Sequence, residues 1–569
     1  MRRKREAYPK KRVARERADT RAAPRRATAN GPGETPLRTV GDELVSVTRR
    51  SALALAAALA LALRPGASGR ALAAALAASE DHWGEPQAFR PAQVRERAQA
   101  LAAAPYEPPP QDIPESLAGL DYDQYRDIRF RPESAIWLGT DKPFQLQAFH
   151  LGFGYREPVA LNLVEAGAAR KLIFDPAMFS YGPLVENPPT AIEDLGFSGF
   201  RIHAPINRDD YFDEFAVFQG ASYFRAVAKD QAYGLSARGL AIGVADPAGE
   251  EFPSFREFWI ETPAPEAEAI VVHALLDSPS TTGAYRFLLR PGASTLMEVE
   301  AVLYPRVEIA TVGIAPLTSM FYFSGHDRVG VDDFRGAVHD SDGLLMWNGQ
   351  GEWLWRPILN PERLQISTFL DNRPHGFGLM QRERDFGVYQ DLEADYHRRP
   401  SLWVEPIGDW GEGAVTLVEI PTDAEVHDNI VAFWRPRTPL AAGVPAQIAY
   451  RLHWRGEPPV AHGLAKVRRT LTGLSEVGKP QAEREKRVFV VDFLGEDLLD
   501  QNGAPVVAQA SATAGVLSPP VVKTDPEIGG VRVALELDPQ GAEVSELRCA
   551  LTRDGAVVSE TWIYRWLAA

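Results

Sequence analysis

Alternation with a period of two is the pattern that most restricts how this chain can fold. VALNLV (159–164) sets Val159, Leu161 and Leu163 on one side, and IAYRLHW (448–454) alternates Ile448, Tyr450, Leu452 and Trp454 with smaller or polar residues. Successive side chains of a strand point to opposite faces, so such segments read as half-buried strands. Gly and Pro recur every several residues between them, and long helical periods are scarce. An all-β fold follows, with a large antiparallel β-sandwich over 80–457. One short helix is expected ahead of it, because Val94, Ala98 and Leu101 repeat at helical spacing between Phe89 and Ala104.

A chain of 569 residues with 45% hydrophobic composition exceeds one ordinary core, so a second domain is expected. Residues 458–487 lapse into a Pro-, Gly- and Lys-rich passage (GEPPVAHGLAKVRR, then GKPQAEREKR) that reads as a linker. Beyond it VFVVDFL, VRVALELD and TWIYRWL alternate again, with Val531, Val533, Leu535 and Leu537 on one face. These eighty-odd residues, 488–569, suit a small immunoglobulin-like sandwich.

The formal charge of −15 is unevenly spread: the first fifty residues carry 15 Lys/Arg against 6 Asp/Glu, or +9, which leaves −24 on the rest. So acidic a body is a poor partner for nucleic acid or an anionic membrane surface. A single cysteine, Cys549, excludes an internal disulfide, a Cys-based zinc site and a CxxC redox pair. Residues 1–47 are Arg-, Ala- and Pro-rich and expected to be disordered; the other reading is an upstream extension, with translation beginning near Val45 or Val47. Over 48–79, Arg49 and Arg50 precede a 13-residue Ala/Leu stretch and a small-residue run, the pattern of a twin-arginine export signal. The thirteen residues Ser51 to Leu63, twelve of them Ala or Leu, are too few to span a bilayer of about 30 Å as a helix.

The densest chemistry lies between Val338 and Trp434, where HDSDGL, GEWLWRP, QRERDF, YHRRPSLWVEP and DNIVAFW crowd carboxylates, Trp, Tyr and Arg together. Aromatic faces stack on the apolar faces of pyranose rings, and charged groups hydrogen-bond their hydroxyls. Paired carboxylates can protonate a leaving oxygen and activate water. The signatures of metalloproteases, P-loop NTPases, dinucleotide-binding folds and EF-hands are absent, and the eleven His are scattered. No cofactor or metal is therefore expected. GLSARG (234–239) misses the nucleophile-elbow spacing by one residue, so Ser236 is read as structural.

Taken with YDQYRDIRF (122–130), DEFAVFQGASYFRAV (213–227), GEEFPSFREFWIE (249–261), HALLDSPSTTGAYRF (273–287), NGQGEWLWRPILNP (348–361), GFGLMQRERDF (376–386) and VEIPTDAEVHDNIVAFW (418–434), the chain resembles the osmoregulated periplasmic glucan biosynthesis proteins, types G and D. The resemblance runs from about Phe89 to the C-terminus, and the twin-arginine-like signal makes the chain look like type D. It implies a galactose-mutarotase-like β-sandwich with a deep cleft, then the immunoglobulin-like domain. It implies a periplasmic location, a homodimer, a β-glucan substrate and a membrane glucosyltransferase as partner. Type D members are similar to inverting endo-acting β-1,2-glucanases; on that pattern Asp428 of DNIVA is the general acid and Asp340 of HDSDGL the general base. The family's non-catalytic alternative is a glucan-binding factor that assists the glucosyltransferase.

Each residue has a structural rival. Asp340 could be an Asx-turn residue and Asp428 a strand-entry cap. A general acid must be shielded to stay protonated, which burial or the neighbouring carboxylate of Glu425 could achieve for Asp428; Glu425 is itself a candidate substrate-binding or relay residue, or else a structural one. Trp355, Trp403 and Tyr396 are candidate sugar platforms or core residues, and Arg356 and Arg399 candidate hydroxyl clamps or ion-pair partners. Arg225 and Glu251 are weaker cleft candidates.

Overall fold

The computed structural model describes residues 82–568, apart from 187, 189–194, 501 and 502. The basic extension and the export signal expected over 1–79 lie outside the described residues. Everything below belongs to one unit, Ala77–Ala569.

Strand alternation produces two large sheets packed face to face. In the first, Ala160–Glu165, Ser254–Glu261, Ile270–Asp277, Thr281–Arg290, Thr295–Pro305, Ala446–Arg455, Ser401–Pro406, Gly376–Met380, Gly343–Trp347 and Trp353–Pro357 lie side by side. The second runs Gln365–Asn372, Glu412–Glu419, Ile430–Pro436, Val312–Ser319, Ser236–Arg238, Tyr223–Ala226, Tyr211–Gln219, Gly199–Arg208 and Gln145–Phe149. Aromatic rings fill the space between them: Phe200 meets Phe258 edge-on at 5.0 Å, and Phe224 meets Phe287 at 5.3 Å. Offset and edge-on contacts of this kind add to the area that the rings bury. Tyr450, Leu452 and Trp454 point into the same core, as their alternation requires.

The expected helix forms over Ala92–Ala102, with Val94 and Ala98 buried against Trp259, Leu275 and Ala284 on the outer face of the first sheet. That cover explains a polar residue the alternation alone would put in water. Asn162 is buried and donates from Nδ2 to Glu257 Oε1 (2.9 Å) and to the Phe258 carbonyl (3.0 Å). A buried amide is tolerated only when its donors are satisfied in this way.

A second, smaller sandwich follows, so the described residues form an all-β fold with little helix. Lys466–Leu474, Arg487–Leu494 and Gly530–Asp538 form one of its sheets, and Val507–Ala512, Val544–Arg553 and Thr561–Leu567 face them. Val531, Val533, Leu535 and Leu537 are buried, and Phe489 packs on Tyr564 at 5.1 Å. The expected linker over 458–487 needs correction, because it contains the strand Lys466–Leu474, fully paired with Arg487–Leu494. A bulge between Val467 and Arg469 breaks the period of two there, which is why the alternation could not be read.

The two sandwiches are not separated by a gap in the hydrogen bonding. Trp353–Pro357 pairs in parallel with Thr561–Leu567, so the first large sheet runs on into the C-terminal sandwich. Leu345, Trp353, Trp355 and Trp403 share one core with Val467, Phe489, Val533 and Trp562. Beside it the buried guanidinium of Arg382 makes a bidentate pair with Glu560 (2.7 and 2.6 Å) and lies 3.8 Å from the Trp355 ring centre. Glu560 also accepts the Val467 N–H at 2.8 Å, and His462 Nε2 lies 3.2 Å away. Gly343 is required opposite Trp355, since a Cβ there would come within 2.2 Å of indole Cζ2.

Candidate functional site

Asp428 ends the loop that enters the strand Ile430–Pro436, and its neighbour Asn429 fixes that loop. The Asn429 side chain is buried; Oδ1 accepts the Phe321 N–H at 2.8 Å, and Nδ2 donates to the carbonyls of Phe321 and Ile420, each at 3.0 Å. With Asn429 facing inward, Asp428 faces outward and is exposed. Asp340 follows the short strand Val338–His339, which pairs with Phe321–Phe323, and its N–H donates to the Met320 carbonyl at 2.8 Å. The peptide group joining Met320 to Phe321 therefore holds both acids, Asp340 directly and Asp428 through Asn429.

The rest of HDSDGL is equally constrained. His339 Nδ1 is 2.8 Å from Gln381 Oε1, whose Nε2 donates to the carbonyls of His339 and Tyr396. Ser341 and Ser319 share a hydroxyl contact of 2.8 Å, and Asp342 accepts the N–H groups of Arg382 and Glu383. Asp340 is buried and hydrogen-bonded to Arg399 Nη1. Burial pushes its carboxyl above the ordinary carboxylate range; Arg399 opposes this, and the charge of Asp428 adds to the upward push.

Arg399 begins a chain of contacts that leads out of the pocket. Its guanidinium lies 4.2 Å from the Tyr396 ring centre, the Tyr396 hydroxyl donates to Glu425 Oε2 at 3.2 Å, and Glu425 pairs with Arg335 at 2.8 Å. Arg335 also binds Asp333 and Asp391, each at 2.8 Å. On the other side Asp428 meets Arg225, with Nη2 3.9 Å from Oδ2. Tyr155, Tyr223, Tyr233, Phe224, Glu214, Arg225 and Asp428 line a hollow of about 580 Å³. A second hollow of about 670 Å³, lined by Asn360, Pro361, Thr422 and His427, meets the first at Asp428.

The structure brings Asp340, Asp428, Glu425, Tyr396, Arg399 and Arg225 together. It keeps the remaining candidates apart. Trp355 and Trp403 offer no face to a sugar: the first is covered by Arg382, and the second stacks on Trp353 at 5.6 Å, both in the core shared by the sandwiches. Arg356 is no hydroxyl clamp either, because it is buried and paired at 3.1 Å with Glu419, itself fully buried. Tyr396 is buried and acts through its hydroxyl rather than as a platform. Glu251 accepts the N–H and hydroxyl of Ser280 and ties a loop. Ser236 is buried in a strand, as its structural reading requires. The expected shielding of Asp428 is absent: the carboxylate is exposed, and Glu425 is taken up by Arg335 and Tyr396. Asn429, Gln381 and Arg335 were not singled out from the sequence. Asn429 and Gln381 each stand beside a charged residue and Arg335 stands between Phe334 and Gly336, and only the three-dimensional contacts distinguish them.

Asn429→Asp is expected to destabilise the protein by about 1–3 kcal/mol, since a carboxylate cannot donate to the two buried carbonyls that the amide now satisfies. Chemical denaturation read by tryptophan fluorescence measures this; an unchanged midpoint would show that the loop does not depend on the amide.

A family model described as "Periplasmic glucan biosynthesis protein, MdoG" matches residues 89–566. Among curated relatives, glucans biosynthesis protein G of Vibrio cholerae serotype O1 is 54% identical over 471 residues, 82% of this chain and 85% of the relative. The protein of the same name from Rhodopseudomonas palustris is 51% identical over 482 residues, 85% of this chain and 94% of the relative. A Shewanella protein so named is 51% identical over 479 residues, 84% and 87% of the two chains. The chain belongs to the MdoG family of periplasmic glucan biosynthesis proteins. These relatives carry the name of type G, so the expectation of type D has no support.

Proposed function

We propose that the protein is a periplasmic endo-acting glycoside hydrolase that cleaves β-1,2-glucan, with inversion, during synthesis of periplasmic glucans. The observation that carries this reading is the position of Asp428, which lines two hollows at once. A chain lying across both would present an internal linkage to the acid, which is what endo cleavage requires. Asp428 protonates the leaving oxygen, and Asp340 receives the proton of the attacking water through intervening hydroxyls. The bound chain supplies the shielding that Asp428 lacks without it, because excluding water favours the protonated form of an acid. Arg399 opposes the upward push of burial on Asp340 and so favours the anionic form that a base needs. Export by the twin-arginine route, a homodimer and a membrane glucosyltransferase as partner belong to the same proposal.

A second reading, a glucan-binding factor without catalysis, is favoured by one feature: the Asp340 carboxylate is occupied by Arg399 rather than open to water. Incubating the protein with linear β-1,2-glucan separates the two. Shorter chains whose optical rotation changes with inversion support hydrolysis. A polymer that binds and stays intact supports the binding factor.

A further inference from the structure

One arginine draws three loops together beside the acid site. Arg335 binds Asp333 of its own loop, Asp391 of a second and Glu425 of a third. Each of these loops carries a large apolar side chain next to an Arg335 contact, and all three are turned to water: Phe334 is 76% exposed, Leu392 85% and Val426 81%. Single exposed apolar residues are ordinary, but three on loops bound to one guanidinium form a patch, and patches of this kind mark binding surfaces. The anchoring is rigid where it needs to be. Arg335 and Asp391 are largely buried, while the Phe334 ring stands 5.9 Å from the Arg335 guanidinium with its surface in solvent.

Side-chain contacts also link these loops to the acid site. Glu425 receives the Tyr396 hydroxyl, Tyr396 lies under Arg399, and Arg399 binds Asp340. We infer that Phe334, flanked by Leu392 and Val426, is a distal subsite for the glucan chain, stacking on a glucose ring several units from the bond that is cut. A β-linked glucopyranose presents axial C–H groups on its ring faces, which suit an aromatic surface, while its equatorial hydroxyls stay in water. The carboxylates around Arg335 are partly exposed at Glu425 and could accept from hydroxyls of the same chain. The arrangement would reward long chains over short ones. This inference rests on the glucan reading above and adds to it the residues that measure chain length.

The test is calorimetric binding of linear β-1,2-gluco-oligosaccharides, trisaccharide to decasaccharide, to the Asp428→Asn protein with and without Phe334→Ala. Affinity should climb with length in the parent, and Phe334→Ala should remove about fivefold to tenfold of that climb, the worth of one stacked ring. Phe334→Trp should restore it, and Leu392→Ser should lower it by a smaller factor. A climb with length that Phe334→Ala leaves intact overturns the subsite while the glucan reading stands. Equal weakening at every length also overturns it, because a misfolded or globally altered cleft behaves that way. Self-association lost in Phe334→Ala, with glucan binding unchanged, assigns the patch to a protein contact instead. A parent that binds no β-1,2-glucan of any length removes both the subsite and the function it rests on.

Discussion

Asp428→Asn is expected to lower the rate of β-1,2-glucan cleavage by about 10³-fold or more while leaving affinity for the chain within about threefold, the usual signature of losing a general acid. The amide has the same shape and can still meet Arg225, but it has no proton to give a departing sugar oxygen. Asn429, which holds the loop, is untouched, so the fold should be as stable as before. Reducing-end assays on purified polymer check the rate, and calorimetry checks the affinity. A decrease below about tenfold would remove Asp428 from the chemistry. The pH profile gives a second view. Burial raises the Asp340 carboxyl above the ordinary carboxylate range, so kcat/KM should fall on the acid side at a higher pH than an exposed aspartate would dictate.

Glu560→Gln should produce the largest loss of stability, about 3–5 kcal/mol, because it leaves the buried Arg382 charge without its counter-ion. Glu560 is fully buried, and Arg382, His462 and the Val467 N–H outweigh the desolvation that would otherwise raise its pKa, holding it at about 2, below the ordinary 4.5. A carboxyl depressed in the folded state contributes stability that is present above its unfolded pKa and lost as pH falls through the folded one. The contribution should therefore fade between about pH 4.5 and pH 2 in the parent and be missing at every pH in the variant. Urea titrations at neutral pH and at about pH 3 distinguish the two. A loss under about 1 kcal/mol at neutral pH would mean that water reaches Arg382.

How much of this was legible depended on the kind of interaction. Strands with a clean alternation, such as Gly530–Asp538, could be read directly, because burial on one face of a sheet leaves a pattern in the chain. The strand Lys466–Leu474 could not, since its bulge shifts the pattern by a residue. The aromatic candidates divided on a point the sequence does not carry. Trp355 and Trp403 stand in runs as aromatic and as charged as those that line the cleft, yet pairing with the C-terminal sandwich buries them. Tyr155, Tyr223 and Tyr233 line the hollow beside Asp428 from strands and turns more than 190 positions away. The acid pair was reached through resemblance, whereas Arg335, Gln381 and Asn429 act through contacts that no local motif announces.

The peptide group between Met320 and Phe321 has a consequence for how the cleft tolerates motion and change. Because one rigid planar unit carries both Asp340 and the amide that orients Asp428, the two acids ride on a common mount. With that shared peptide between them, the outer loops can lengthen, shorten or tilt without resetting the gap between the two carboxylates. For a hydrolase of the proposed kind, chain preference is thus free to drift at the rim while the spacing of the two carboxylates stays in register.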